Sequence, residues 1–149
     1  MGGLFSYAGL LLRRNGFEYW VLVAVSSWIG DTGALLVGRF FGRHKVAPLI
    51  SPKKTWEGVG GSLVTSVLAV QALVALMGME LATQHVLVIG VISSAASVFG
   101  DLFESIIKRA AKASDSGTFF PGHGGMLDRL DSLLLAFPCV YGYAGLCIK

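Results

Sequence analysis

Charge is scarce in this sequence. Of its 149 residues only 14% are Asp, Glu, Lys or Arg, against about 25% in a soluble globular domain, which excludes an ordinary water-soluble fold. Cysteine is scarce as well. Cys139 and Cys147, the only two, share the last apolar run and would stand ~12 Å apart along one helix, beyond disulfide reach. No Cys–His spacing of the zinc-module kind occurs. The net charge of +3 includes no basic block interleaved with aromatics, so nucleic acid is not an expected partner. No G-x-x-x-x-G-K-[ST] loop is present, which excludes a P-loop enzyme. A secretory leader is not expected either, because Arg13 and Arg14 follow the first apolar stretch instead of preceding it. MGGLFS matches the loose myristoylation pattern, of little use to a chain that is already apolar.

What the sequence has is hydrophobic length. Apolar residues make up 54% of the chain and the mean hydropathy is +0.68. A helix needs roughly 20 apolar residues to cross a bilayer, and Tyr19 to Phe40, Val59 to Met77, His85 to Ile107 and Leu127 to Ile148 each approach that length. Leu4 to Leu12 is too short and reads as an interfacial or partial helix. The expected architecture is therefore all-α: a polytopic membrane helix bundle of about four spans, forming one domain over residues 1–149. Arg39, Arg43, Lys45, Lys53 and Lys54 flank the first connection, and Lys108, Arg109, Lys112 and Arg129 the third. The intervening "GMELATQ" has no Lys or Arg. The positive-inside rule puts both basic connections in the cytoplasm, with Arg13 and Arg14 as the dissenting pair.

Acids stand where lipid should be. Asp31 and Asp101 interrupt apolar spans, and Glu104 follows Asp101 by a turn. An ionised group at the bilayer centre costs at least about 2.5–3.5 kcal/mol, so such groups belong in bundle interiors or water-filled cavities. Glu104 and Lys108 at i,i+4 could form a plain helix salt bridge; Asp31 and Asp101 have no such local partner. "WIGDTGALLVGR" and "SVFGDLFESIIKR" echo each other, each with a Gly-Asp pair above a basic residue. That echo predicts Asp31 and Asp101 at similar depth, where two carboxylates could hold a hard cation such as Mg²⁺.

The densest cluster of chemistry is "PGHGGMLDRLD". Asp128 and Asp131 are i,i+3 at the start of the last span and so share a helix face. One reading is structural, an N-cap and a first-turn acid, favourable on dipole grounds, with Arg129 reaching to headgroups. The other weighs the loop before them. Gly122, Gly124 and Gly125 around His123 leave backbone N–H groups free to meet an anion, with Lys108, Arg109 and Lys112 nearby. Anion receptors beside carboxylates suit metal-bridged phosphate chemistry.

The run "SIIKRAAKASDSGTFFPGHGGMLDRLD" resembles the signature of the phosphatidate cytidylyltransferase (CDP-diacylglycerol synthase) family: S-x-x-K-R, four residues, K-D-x-G, then P-x-H-G-G-x-x-D-R-x-D. Ser105, Lys108, Arg109, Asp115, Gly117, Pro121, His123, Gly124, Gly125, Asp128, Arg129 and Asp131 fall in place. "SPKKTWEG" and "GDTGALLVGRFFGRHK" are similar to further family segments, so the likeness runs from about Trp28 to Pro138. Ser114 stands where the family usually has Lys, and Lys112 is the neighbour expected to take over that charge. Family members are commonly near twice as long, so the chain looks like a C-terminal catalytic half without the usual N-terminal spans.

The resemblance implies transfer of CMP from CTP to phosphatidate, giving CDP-diacylglycerol and pyrophosphate, with Mg²⁺ and a monovalent cation such as K⁺ as candidate cofactors. Asp101, Lys108, Arg109, Asp128 and Asp131 are the expected catalytic residues. Asp101, Asp128 and Asp131 are expected to hold the metal, with Asp31 a further candidate. Lys54, Thr55, Lys112, Asp115, His123, Gly124, Gly125 and Arg129 are expected to bind substrate. CTP, phosphatidate and membrane lipid are the expected partners, and a homodimer is among the expected states. A CTP-dependent polyprenol or lipid kinase, an inactive truncated homologue serving as a membrane subunit, and a small ion transporter are the alternatives. The last of these leaves the loop around His123 unexplained.

Overall fold

The computed structural model of the chain describes residues 2–48, 50–110 and 127–148. Helices dominate it: α1 (Gly2–Asn15), α2 (Phe17–Phe41), α3 (Trp56–Met77), α4 (Thr83–Ala110) and α5 (Leu127–Cys147). Between α2 and α3 lies a small antiparallel hairpin of β1 (Lys45–Ala47) and β2 (Ser51–Thr55). Among the described residues three helices are long and apolar enough to cross a membrane, covering Phe17–Phe41, Trp56–Met77 and Thr83–Ile107. With 22 residues, α3 rises about 33 Å, enough for a hydrocarbon core of about 30 Å. The described part of α5 covers 21 residues, and its apolar part, Ser132–Cys147, is shorter than the other three.

A buried apolar core that includes Leu22, Ile89 and Phe137 is joined by buried serines, while large apolar side chains cover the outside. Leu35, Leu68, Leu76, Phe40, Phe99 and Leu146 are exposed, whereas Ser26, Ser27, Ser62, Ser66, Ser93, Ser94 and Ser97 are buried. In lipid the hydrophobic effect does not drive helices together, so small residues that admit close approach, and hydroxyls that bond across helices, do that work. Ser66 Oγ donates to Ser26 O at 3.1 Å, and Ser94 Oγ to Ser62 Oγ at 3.0 Å. Glycine sets the spacing. A Cβ on Gly61 of α3 would come within 2.6 Å of Val37 of α2, and one on Gly90 of α4 within 2.7 Å of the Val67 backbone of α3. This is an all-α membrane bundle, as its composition predicts.

Chain direction follows from a few contacts. Tyr7 meets Tyr141 edge-on at 5.6 Å, and Arg14 donates to Gly145 O at 3.3 Å, so α1 runs parallel to α5. The expected interfacial or partial helix is thus packed along the bundle, with Leu11 fully buried. Helices α2 and α4 run one way, α3 and α5 the other. The C-terminal ends of α2 and α4, the hairpin and the starts of α3 and α5 therefore gather at one end of the bundle.

The hairpin was not foreseen from the sequence. Its register pairs Lys45 with Thr55 and Ala47 with Ser51, with an irregularity between. Pro52 lacks an N–H, and a two-stranded ribbon offers an edge position where that donor is not needed. Thr55 then ends the strand and starts α3. Its backbone is extended, at φ −128° and ψ 152°, and its side chain accepts from Gly58 N at 3.2 Å, an N-cap that satisfies one free helix donor.

Candidate active site

Lys54 is the penultimate residue of β2, and capping by Thr55 fixes where that strand stops. The ammonium is thereby carried across to α4, where Nζ lies 2.7 Å from Asp101 Oδ2 and donates to Val98 O at 3.0 Å. The Lys54 side chain is 17% exposed and that of Asp101 48%. An apolar span thus carries a carboxylate whose partner comes from outside the span, which answers why Asp101 has no basic neighbour on its own helix. Arg109, two turns further along α4, donates from Nε to Ile50 O at 3.3 Å. The hairpin is therefore tied to α4 at two levels.

Asp31 stands on α2 facing α4, and its Oδ1 accepts a hydrogen bond from Ser97 Oγ. Ser97 and Asp101 are i,i+4, so Asp31 lies opposite a position one turn, about 6 Å, from Asp101. The expectation of similar depth is met to within that turn. Asp31 thus meets α4 from α2, while Asp101 on α4 meets Lys54 from the hairpin. Glu104, by contrast, is buried. The side chain of Lys108, its expected i,i+4 partner, lies outside the described residues.

Thr55 is buried at 3% exposure, and its hydroxyl oxygen serves α3 as the N-cap. This is a structural role beside the binding role expected of it. A second support escaped the sequence reading. Glu57, in the first turn of α3, accepts from His44 N at 3.2 Å through both carboxylate oxygens and contacts His44 Nδ1 at 2.7 Å. Trp56 N donates to His44 O at 2.9 Å. These bonds close the hairpin onto the α3 N-terminus and hold Lys54 in place. The one signal available in sequence was an acid two residues after a Thr N-cap.

Asp128, Arg129 and Asp131 lie in the first turns of α5, at the end of the bundle that holds Asp101 and Lys54. Asp128 and Asp131 are three residues apart on that helix and share a face; their side chains lie outside the described residues. Lys112, Asp115, His123, Gly124 and Gly125 also lie outside them. Among the described residues no group of three His, Cys, Asp or Glu is gathered as a metal cluster. Asp101 is the described member of the expected set, a hard, half-exposed oxygen donor of the type that suits Mg²⁺.

A membrane helix bundle with ionised groups collected at one end defines a class: an integral membrane protein with a polar site next to lipid. Within that class the chain belongs to the cytidylyltransferase family, whose model matches residues 2–147. The phosphatidate cytidylyltransferase of Staphylococcus saprophyticus is 40% identical over 126 residues, covering 85% of this chain and 48% of that protein. The enzyme of the same name from Staphylococcus haemolyticus is 38% identical over 138 residues, 93% of this chain and 52% of the other. That of Haemophilus influenzae is 40% identical over 129 residues, 83% of this chain and 44% of the other. The chain spans about half the length of the curated relatives it matches.

Proposed function

We propose that the chain carries the catalytic site of a phosphatidate cytidylyltransferase, transferring CMP from CTP to phosphatidate. The observation that carries the reading is the Lys54–Asp101 pair, 2.7 Å apart, at the end of the bundle where α4 ends and α5 begins its described course. A nucleoside triphosphate with its metal presents the complementary pair of charges. Phosphate oxygens can replace Asp101 as the partner of Lys54, leaving the carboxylate for a cation.

In the reaction a phosphatidate oxygen attacks the α-phosphorus of CTP, forming a new P–O–P bond. The bond from that phosphorus to the bridging oxygen of the β-phosphate breaks, and pyrophosphate leaves. No covalent intermediate on the protein is needed, so catalysis consists of positioning and charge neutralisation. Lys54, Lys108, Arg109 and Arg129 would neutralise the triphosphate and the phosphatidate head. Thr55, Lys112, Asp115, His123, Gly124 and Gly125 would line the binding site. Asp101, Asp128 and Asp131 would hold Mg²⁺, with Asp31 one turn away as a further candidate ligand, for Mg²⁺ or for a monovalent cation such as K⁺. When bound, the metal supplies positive charge to the phosphates of CTP.

Sidedness belongs to the same reading. Arg39, Arg43, Lys45, Lys53, Lys54 and Arg109 lie at the site end of the bundle and Arg13 and Arg14 at the other. That imbalance supports a cytoplasmic site, where CTP is found. The test is incorporation of label from CTP into phosphatidate by the purified protein in lipid nanodiscs. Transfer of α-phosphate label with Mg²⁺ supports the reading. Transfer of γ-phosphate label would make the chain a lipid kinase, and ion flux without nucleotide would make it a transporter.

A further inference from the structure

The two ties between the hairpin and α4 leave a space between them. Lys54 holds the hairpin at Val98 and Asp101, and Arg109 holds it at Ile50. Between these levels the hairpin overhangs a groove of about 310 Å³, at the small end of the ~300–1,000 Å³ usual for ligand sites. Ala47 and Ile50 form its roof, Leu102, Phe103 and Ile106 of α4 its floor, and Leu135 of α5 its far wall. Every one of these side chains is apolar, although Ala47 and Ile50 belong to the connection and not to a span. A lipid-facing helix surface has no such roof. The groove is flanked by cations, Lys54 beyond one edge and Arg109 beyond the other, and Asp101 directly precedes its floor residue Leu102.

We infer that this groove takes one acyl chain of the phosphatidate substrate, drawing the chain under the hairpin so that the head is delivered to Lys54 and Arg109. The inference rests on the proposed transfer reaction and adds its lipid subsite. An open apolar groove edged by bases matches a ligand that is apolar along its length and anionic at one end. A soluble nucleotide or peptide would leave either the lining or the bases unmatched. Each methylene buried contributes about 0.8 kcal/mol, so the groove discriminates by chain length.

Two variants test this in the purified protein in nanodiscs. Ala47→Phe fills the groove from the hairpin, and Phe103→Ala enlarges it from α4. Ala47→Phe is expected to raise KM for dioleoyl phosphatidate about tenfold, the factor for excluding two methylenes. Its KM for CTP and its turnover of dihexanoyl phosphatidate should stay unchanged. Phe103→Ala is expected to move the preferred chain length upward. A photoactivatable phosphatidate with a diazirine in its acyl chain should label Leu102, Phe103 or Ile106, and Ala47→Phe should abolish that labelling.

Normal turnover in Ala47→Phe with an unchanged chain-length profile would overturn the inference and leave the transfer reaction standing. Labelling of the groove without CMP transfer by the unmodified protein would overturn the reaction and leave the lipid subsite standing. Equal labelling by a diazirine phosphatidylcholine would show that the groove holds bulk lipid only, which also overturns the inference.

Discussion

Replacing Lys54 by Met keeps the length of the side chain and removes its charge, which separates the two roles the residue can play. As a strut, Lys54 contributes one ion pair at 2.7 Å and one bond to Val98 O at 3.0 Å. Two charges 4 Å apart interact by about 4 kcal/mol at an effective dielectric of 20. Asp101, however, is half exposed, and pairs open to solvent return only about 0.2–1 kcal/mol. Val98 O sits inside α4 and keeps its place in the helix ladder, so its loss is small. The structural cost should total about 1–2 kcal/mol, read as a modest fall in thermal unfolding temperature in detergent. As a phosphate ligand, Lys54 should matter far more. Loss of a charge-assisted contact in the transition state is expected to lower kcat/KM more than about a hundredfold, or roughly 3 kcal/mol. Lys54→Arg should recover part of the rate, because it restores the charge with different geometry. The assay is transfer of α-phosphate label from CTP to lipid, with unfolding measured on the same preparations. If Lys54→Met unfolds earlier but keeps kcat/KM within about threefold of the unmodified protein, a loss under about 1 kcal/mol, Lys54 is a strut alone and the site reading is refuted.

Asp128→Asn and Asp131→Asn should each cost more than about a hundredfold in CMP transfer while membrane insertion and thermal stability persist; near-normal activity in both would make them helix-capping acids. In a background without Cys139 and Cys147, single cysteines at Lys53 and Lys112 should react with an impermeant maleimide from the cytoplasmic face only, and one at Thr83 from the opposite face. Reaction of the first two from opposite faces would break the topology. Gly61→Val should destabilise the bundle by about 1–3 kcal/mol, the range for overpacking, because its Cβ would meet Val37 at 2.6 Å; Gly60→Val, with nothing within 4 Å of its Cβ, should be nearly neutral. Equal unfolding temperatures for these two variants would contradict the α2–α3 packing described above.

Much of this protein was legible without coordinates. Hydrophobic length and the scarcity of charge by themselves determined a membrane helix bundle, because a bilayer demands long apolar helices whatever their partners. The end of α3 at Met77 follows from a local rule: the next residue, Gly78, stands at φ 65°, a conformation that other residues rarely adopt. Candidate site residues could be chosen for the same reason, since a charge inside an apolar span is costly enough to need a purpose.

What the sequence could not decide was which charge meets which. Lys54 and Asp101 are far apart along the chain, and neither has a pattern that names the other. Only the fold, through a capped strand end at Thr55 and the His44–Glu57 contact, carries the ammonium across to α4. The hairpin was illegible because its strands are short and polar, with Pro48 and Pro52 breaking any alternation. Its position comes from Lys54 and Arg109 tying it to α4, which are tertiary bonds. The one-turn stagger of Asp31 and Asp101 has the same origin. Helix register is set by interlocking surfaces such as Gly61 against Val37 and Gly90 against Val67, and contacts between distant segments exist only once the helices have packed.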